Sequence, residues 1–494
     1  MATIHRIGSN AGDDYTTLNA WYADVKGDIT NDGNAPYIAE IRGEIIMEPD
    51  GMLQIVESTT DSSHYFHIRP MTGAGVQTSI ADTSNMAMVS GVMAIADAYT
   101  VVERIGMMST QNIYPFGVGV FSDHITIDGA LLDGYRSSGV YTPSVKAVYI
   151  WASGNVYSTV KNCIISDFYA EGSLINKDCF VTGIGGRDSA TPSVNYPTYP
   201  WIVDFGGEQP QDHIYVYNNT MWDLRSNSSA GGSDSAVGID FMSNSQFGDN
   251  IFVYNNVVSH INGADASGFR LGANINHSNN ATEDTTLAAY LGEYNSIDPS
   301  GEFVSLASGV TQGGSHPGSI RRIDLWYAPD GDTDDEQWSM IVGTDDPEGT
   351  IGGIDLSIDT TTSTVLLGNA YNLTYNGYYN PPRIDMSGVF RSDFNGILWD
   401  IGCWALDRDS LIVPASGNYV QALVYELAQT LTDLESSASG INTYLGQKTF
   451  ESYEATWDDF FFKNNNGMDE LSADIDKIHQ EIVLLEQGIV NHRH

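Results

Sequence analysis

Three aspartates and two arginines lie close together near the middle of the chain: Asp223 and Arg225 around Leu224, then Asp240, then Asp265 and Arg270. A pair of carboxyl groups facing a groove is what glycoside cleavage requires, one acting as general acid and the other as base or nucleophile. A second group, Asp330, Asp332, Asp334, Asp335 and Glu336, puts hard oxygen donors at alternate positions beside Gly331, a set that would suit Ca²⁺. It lacks a complete calcium-loop pattern, and a solvated charged turn is the plainer account. Asp330, Asp332 and Asp334 are therefore Ca²⁺ candidates only, and no other cofactor is expected. The sequence has no phosphate loop, zinc-type histidine cluster or nucleophile elbow. With 63 acidic residues in the chain, several near any one segment are expected by chance. Asp223, Asp240 and Asp265 can act together only if the scaffold brings them to one face.

That scaffold is written in a pair of near-copies. Asp212-His213-Ile214-Tyr215-Val216-Tyr217-Asn218-Asn219-Thr220-Met221 is echoed by Asp249-Asn250-Ile251-Phe252-Val253-Tyr254-Asn255-Asn256-Val257-Val258. Looser echoes start at His124 and Val160 upstream and at Leu373 downstream, the last running to Tyr379. Self-similarity every few tens of residues marks a solenoid whose units cover one another's apolar faces. Parallel strands need long connections, and such a period is too long for a hairpin meander. The fold class is therefore all-β, a right-handed parallel β-helix, with ten to fifteen coils of about 4.8 Å each. Asn218 and Asn255 fall at equivalent corners, where asparagine tolerates left-handed backbone and its amide can bond to the next coil.

The ends and the insertion follow from local chemistry. Residues 1–26 form an N-terminal cap: Thr16 or Thr17 precedes a short helix with Leu18, Trp21 and Tyr22 on one face, a lid over the first open coil. The body spans 27–405. Within it, around 303–360, two antiparallel strands, Ile323–Ala328 and Trp338–Val342, flank the acidic tip. After residue 406 the period changes from two to three and a half. Met468, Leu471, Ile475, Ile478, Ile482, Leu485 and Ile489 form a heptad seam, preceded by a looser one from Val420 to Leu445. The fold thus includes an α-helical C-terminal segment, 406–494, for oligomerisation or attachment. Phe460, Phe461 and Phe462 cannot all face one helix stripe, so they either plug the foot of the β-helix or dock on another protein. The seams pair within one chain or between chains, and isoleucine at both core positions leans toward three strands.

Ile7-Gly8 with Asp14-Tyr15-Thr16-Thr17-Leu18-Asn19-Ala20-Trp21 resembles the start of right-handed parallel β-helix proteins of the phage tail-spike and virion-fibre type. Asp393-Phe394-Asn395-Gly396 and Asp400-Ile401-Gly402 resemble their last coil, over roughly residues 1–405 in all. Cys403-Trp404-Ala405 departs from the usual continuation, where a partner would pack. The resemblance implies a virion structural protein, a homotrimer bound to other virion proteins and facing a host-surface glycan. The fold also hosts polysaccharide lyases, glycoside hydrolases and bacterial surface adhesins, which stay open as alternatives.

Composition fits an exterior protein. The net charge of −42 repels phosphate over most of the surface and excludes an ordinary nucleic-acid binder. Three cysteines without metal spacing read as buried apolar residues. No stretch nears the roughly twenty apolar residues of a membrane span, and Met1–Arg6 shows no secretory signal. The expectation is a protein assembled in the host cytoplasm and displayed on the virion exterior.

Overall fold

The computed structural model describes residues 2–75, 86–108, 116–133, 136–139, 144–151, 154–172, 179–186, 210–227, 234–242, 247–248, 250–290, 292–298, 302–305, 323–326, 339–342, 355–358, 362–374, 377–385, 391 and 399–403. Its strands are nearly all parallel and stack as three ladders of a β-helix. The first ladder holds nine strands, Thr3–Ile7, Tyr37–Ile41, Phe66–Pro70, Val101–Glu103, Thr126–Asp128, Gly154–Lys161, Gln211–Tyr217, Ile251–Tyr254 and Asn276–Ser278. The second runs through Gly106–Met108, Leu131–Asp133, Ile164–Gly172, Thr220–Asn227, Val257–Asn262 and Ala281–Thr282. The third runs through Phe116–Val120, Ser144–Ile150, Cys179–Gly185, Asp234–Phe241 and Asp265–Leu271. In the early coils Ile45–Ile55 and Met88–Ile95 serve both ladders, with a register shift between Met47 and Met52. Among the described residues these nine strands make eight steps, roughly 38 Å at the usual strand spacing, where the sequence predicts ten to fifteen coils.

Alternation explains the core. One register row of the first ladder reads His5, Ala39, Ile68, Val102, Ile127, Val160, Val216, Val253, His277. Its apolar members are at most 1% exposed. The next residue of each strand points the other way, giving Arg6, Glu40, Arg69, Glu103, Asp128 and Lys161 in neighbouring coils. Arg69 donates to Glu40 at 2.6 Å and Lys161 lies 3.4 Å from Asp128. Such partly exposed pairs add on the order of 1 kcal/mol or less each, and the register is held by the inward apolar row, which a one-residue slip would turn outward.

The corner after the first ladder has two asparagine positions. The outer residue is left-handed: Arg104, Gly129, Asn162, Asn218, Asn255 and Asn279 all have φ between 51° and 67°. The inner residue is buried, and in the later coils it is Asn219, Asn256 and Asn280. Asn256 Oδ1 accepts from Asn219 N at 3.0 Å and Asn219 Nδ2 at 2.9 Å. Asn280 Oδ1 repeats this for Asn256 at 3.0 Å each. The column thus satisfies corner peptides that no strand partner reaches. Glu293 terminates it, accepting from Asn280 N at 2.5 Å and meeting His277 Nδ1 at 2.5 Å.

Both ends are plugged. Thr17 caps the helix Leu18–Val25, its Oγ1 accepting from Ala20 N at 3.1 Å. Trp21 and Tyr22 pack edge-on against Phe66. Buried Glu48 accepts the Leu18 and Asn19 N–H groups at 2.8 and 3.1 Å, a negative charge at the helix's positive end. Residues 283–290 and 292–297 close the far end, where Leu287 enters the core. Asp284 holds this turn by accepting from Thr286 N at 2.9 Å.

Beyond the coils the chain doubles back along the outside of the asparagine corner. Asn279 Nδ2 donates to Asn369 O at 2.6 Å, Asn255 Nδ2 to Tyr371 O at 2.8 Å, and Asn162 Nδ2 to Ile384 O at 2.7 Å. Asn218 Nδ2 donates to Asp400 O and Gly402 O at 3.0 and 3.2 Å. Leu366, Ala370, Leu373, Trp399 and Ile401 are fully buried against Tyr217, Trp222 and Val257. This strap corrects the reading of Leu373–Tyr379 as a further repeat and of Asp400–Gly402 as part of a last coil. Alternating apolar residues beside asparagine serve an external strap as well as a coil. Between cap and strap, Ile323–Trp326 pairs antiparallel with Ser339–Val342, and Phe303–Ser305 with Asp355–Ile358.

Two predictions follow from the buried polar groups. Asn256→Ala leaves the buried Asn219 N–H without its acceptor and removes the side-chain bonds of Asn256 to Asn219 Nδ2 and Asn280 Oδ1, costing on the order of 3 kcal/mol in chemical denaturation. Burial raises the Glu48 carboxyl above its ordinary value, against the pull of the Leu18 and Asn19 N–H groups. Its contribution therefore favours the fold below the unfolded carboxylate value and is lost as pH rises through the raised folded one. Relative to Glu48→Gln, the wild type should lose stability as pH rises above the ordinary glutamate value of about 4.3; equal changes in urea midpoint would contradict this.

Candidate functional site

The candidate acids sit on two different ladders. Asp223 lies in the second ladder at a bend, with φ 61°. The pairs Trp222↔Ser259 and Leu224↔Ile261 set it opposite His260, which has φ 60°. Its Oδ1 meets Arg225 Nε at 2.9 Å, and each side chain is 15% exposed. Trp222 is buried, stacks on His260 at 4.9 Å and 14°, and meets Phe303 edge-on. Glu283, from the next coil, accepts from His260 N at 2.6 Å and Ser259 Oγ at 2.9 Å. Burial holds the His260 imidazole below the usual histidine value; Arg225 adds to this and Glu283 opposes it. A neutral imidazole, a carboxylate and a guanidinium are therefore gathered at one half-buried bend. These groups can exchange protons with a ligand and bind hydroxyls.

Asp240, Asp265 and Arg270 are on the third ladder. The row Val148, Ile184, Ile239, Phe269 faces the core. The row one residue on, Tyr149, Gly185, Asp240, Arg270, lies on the opposite face of the strands. Asp240 Oδ1 accepts from Met242 N at 3.3 Å. Arg270 donates to Asp265 Oδ2 at 2.5 Å and Ser235 Oγ at 2.8 Å. In the neighbouring row Lys146 is buried, 4.3 Å from the centre of the Tyr149 ring, and donates to Gly186 O at 3.4 Å. The strands approach closely here: a Cβ on Gly238 would lie 2.5 Å from Gly268 O.

Asp240 and Asp265 thus share a ladder, while Asp223 with Arg225 belongs to another. Sequence reasoning passed over His260, Glu283, Trp222, Lys146 and Tyr149. His260 could have been found, since aligning the two near-copies sets it under Asp223. Lys146 lies upstream of them and carries no such mark. Among the described residues no three His, Cys, Asp or Glu side chains are grouped to hold a metal ion. The Ca²⁺ candidates Asp330, Asp332 and Asp334 lie outside the described residues. So do Phe460, Phe461, Phe462, Leu471, Ile475, Ile478, Ile482, Leu485 and Ile489. No described helix is long and apolar enough to cross a membrane.

The registers define a parallel β-helix. No protein-family model matches the chain, and no curated protein does. Among solved structures, the crystal structure of pectate lyase Pel9A is similar at 9% identity, over 82% of this chain and 97% of that one, with a TM-score of 0.27.

The surroundings of His260 give a direct test. Its imidazole should titrate below the ordinary histidine value in NMR. Phe303→Ala, which uncovers Trp222, should raise the midpoint, because burial is the largest cause of the shift. Arg225→Met should raise it less.

Proposed function

We propose that this protein is a structural component of a bacteriophage particle, a tail spike, fibre or head-decoration protein. It presents its β-helix on the particle exterior toward host or medium and is held as a homotrimer by the segment 406–494. The coil sense is taken as right-handed, the hand of nearly all parallel crossovers. The observation that carries this reading is how the buried acids are used. Glu48 caps a helix, Glu293 ends the asparagine column, and Glu302 accepts the Thr364, Val365 and Leu366 N–H groups at 2.9–3.1 Å. These carboxylates fix backbone rather than line a groove, as a rigid rod requires. The acidic composition supports an exterior place, because it resists unspecific association.

A second reading, cleavage of a host polysaccharide, is favoured by the grouping of Asp223, Arg225 and His260. A chain ending at residue 405 should keep the cooperative thermal unfolding of its β-helix but run as a monomer in light scattering, while the full chain runs as a trimer. An unchanged oligomeric state on truncation removes the attachment role from 406–494. Release of reducing ends from host polysaccharide by the full chain, lost in Asp223→Asn, would favour the second reading.

A further inference from the structure

The strap crosses the asparagine corner above Lys161. That lysine ends its strand with a side chain only 7% exposed. Its Nζ touches Asn380 Oδ1 at 2.8 Å, Asn380 O at 3.2 Å, Pro381 O at 3.4 Å and Asp128 Oδ2 at 3.4 Å. Asn380 has φ 45°, and its Nδ2 donates to Thr126 Oγ1 at 3.1 Å, which turns the amide oxygen toward the lysine. With a C=O bond of about 1.2 Å, Nζ lies within roughly 4 Å of Asn380 Cγ, at the edge of near-attack range. Asp128 is the register partner of Lys161 in the preceding coil, and its Oδ1 accepts from Asn162 Nδ2 at 2.9 Å. The Tyr379 ring packs beside this point against Tyr157 and Tyr215. Amine, carboxamide and carboxyl group meet here from three distant parts of the chain.

We propose that Lys161 Nζ and Asn380 Cγ join in an intramolecular isopeptide bond, with Asp128 carrying the protons, so that the strap is covalently fastened to the coil. Asp128 takes a proton from the lysine ammonium, leaving a free amine. The nitrogen lone pair attacks Cγ, the Nζ–Cγ bond forms, and the Cγ–Nδ2 bond breaks as the tetrahedral intermediate collapses. Nζ gives up two protons in all. One converts the departing –NH₂ to ammonia; the other, returned by Asp128, makes it ammonium and restores the carboxylate. No oxidant or second reactant is consumed. Burial raises the Asp128 carboxyl above its ordinary value, against the pull of Lys161, although 28% of its side chain still reaches solvent. That favours a proton on the Asp128 carboxyl. The bond would close a loop of 219 residues and hold the strap when the rod is pulled or sheared.

Mass spectrometry of the folded full chain tests this. The intact mass should be lower than the sequence mass by about 17 Da, the ammonia released by amine attack on an amide. Digestion should yield a branched peptide joining Lys161 to Asn380. Lys161→Met and Asn380→Ala should each restore the full mass. Asp128→Asn should do so with both reactants still in place. An intact mass equal to the sequence mass in protein shown to be folded overturns the proposal without any variant. So does an ammonia loss that maps to linear peptides at an Asn-Gly step instead of the branched one. A branched peptide that persists in Asp128→Asn overturns the role given to Asp128.

Discussion

A chain that winds in parallel coils must turn three times per circuit with its peptide groups buried, and those groups cannot all be met by strand neighbours. Everything else here depends on how the first corner meets that demand. The inner residues Asn219, Asn256 and Asn280 carry both a donor and an acceptor in a side chain short enough to reach one coil along. Each therefore serves as the missing backbone partner of its neighbour. Upstream, the same inner position holds Ile105, Ala130 and Cys163, all fully buried, so that end of the corner is apolar. The column starts where Cys163 N donates to Asn219 Oδ1 at 3.0 Å.

A column of this kind has two faces, and the second decides the strap. The outer residues, left-handed by necessity, point their amides away from the core. Four of them are asparagines, and each donates to a carbonyl of the returning chain. The corner is thus an inner hydrogen-bond column and an outer row of hooks, made from adjacent residues of one sequence motif. Apolar cover completes the seal, with Trp399 and Leu373 buried over Tyr217 and Trp222. The strap protects what would otherwise be an exposed aromatic strip of Tyr215, Tyr217, Phe252 and Tyr254.

The same economy governs the ends and the outside. Row ends carry His5 and His277 in place of aliphatic side chains, and each meets a capping element: Trp21 Nε1 donates to His5 Nδ1 at 3.2 Å, and Glu293 meets His277. A second corner is lined by stacked rings, Tyr99, His124, Tyr157 and His213, with centroids 4.2–5.1 Å apart. All four are left-handed, and ring stacking there takes the part that amides play at the first corner. Polar chemistry on the described ladders therefore serves coil order first, and the bend holding Asp223, Arg225 and His260 is one such turn.

The sequence by itself determined the repeating unit, the inward row of Val216 and Val253, the left-handed corners at Asn218 and Asn255, and the short helix capped by Thr16 or Thr17. Each of these is set within a few residues or by a period of two, so local pattern suffices. What only the tertiary structure decided is which ladder each acid joins and what lies over the corner. Connections between coils differ in length: Ile127 and Val160 are register partners 33 residues apart (160 − 127), but Val160 and Val216 are 56 apart (216 − 160). Proximity in sequence therefore does not place Asp223 beside Asp240. The strap is harder still to foresee. Its apolar alternation equals that of a coil, and only the doubled-back path brings Asn380 to Lys161, because that contact depends on where the stack ends rather than on either residue.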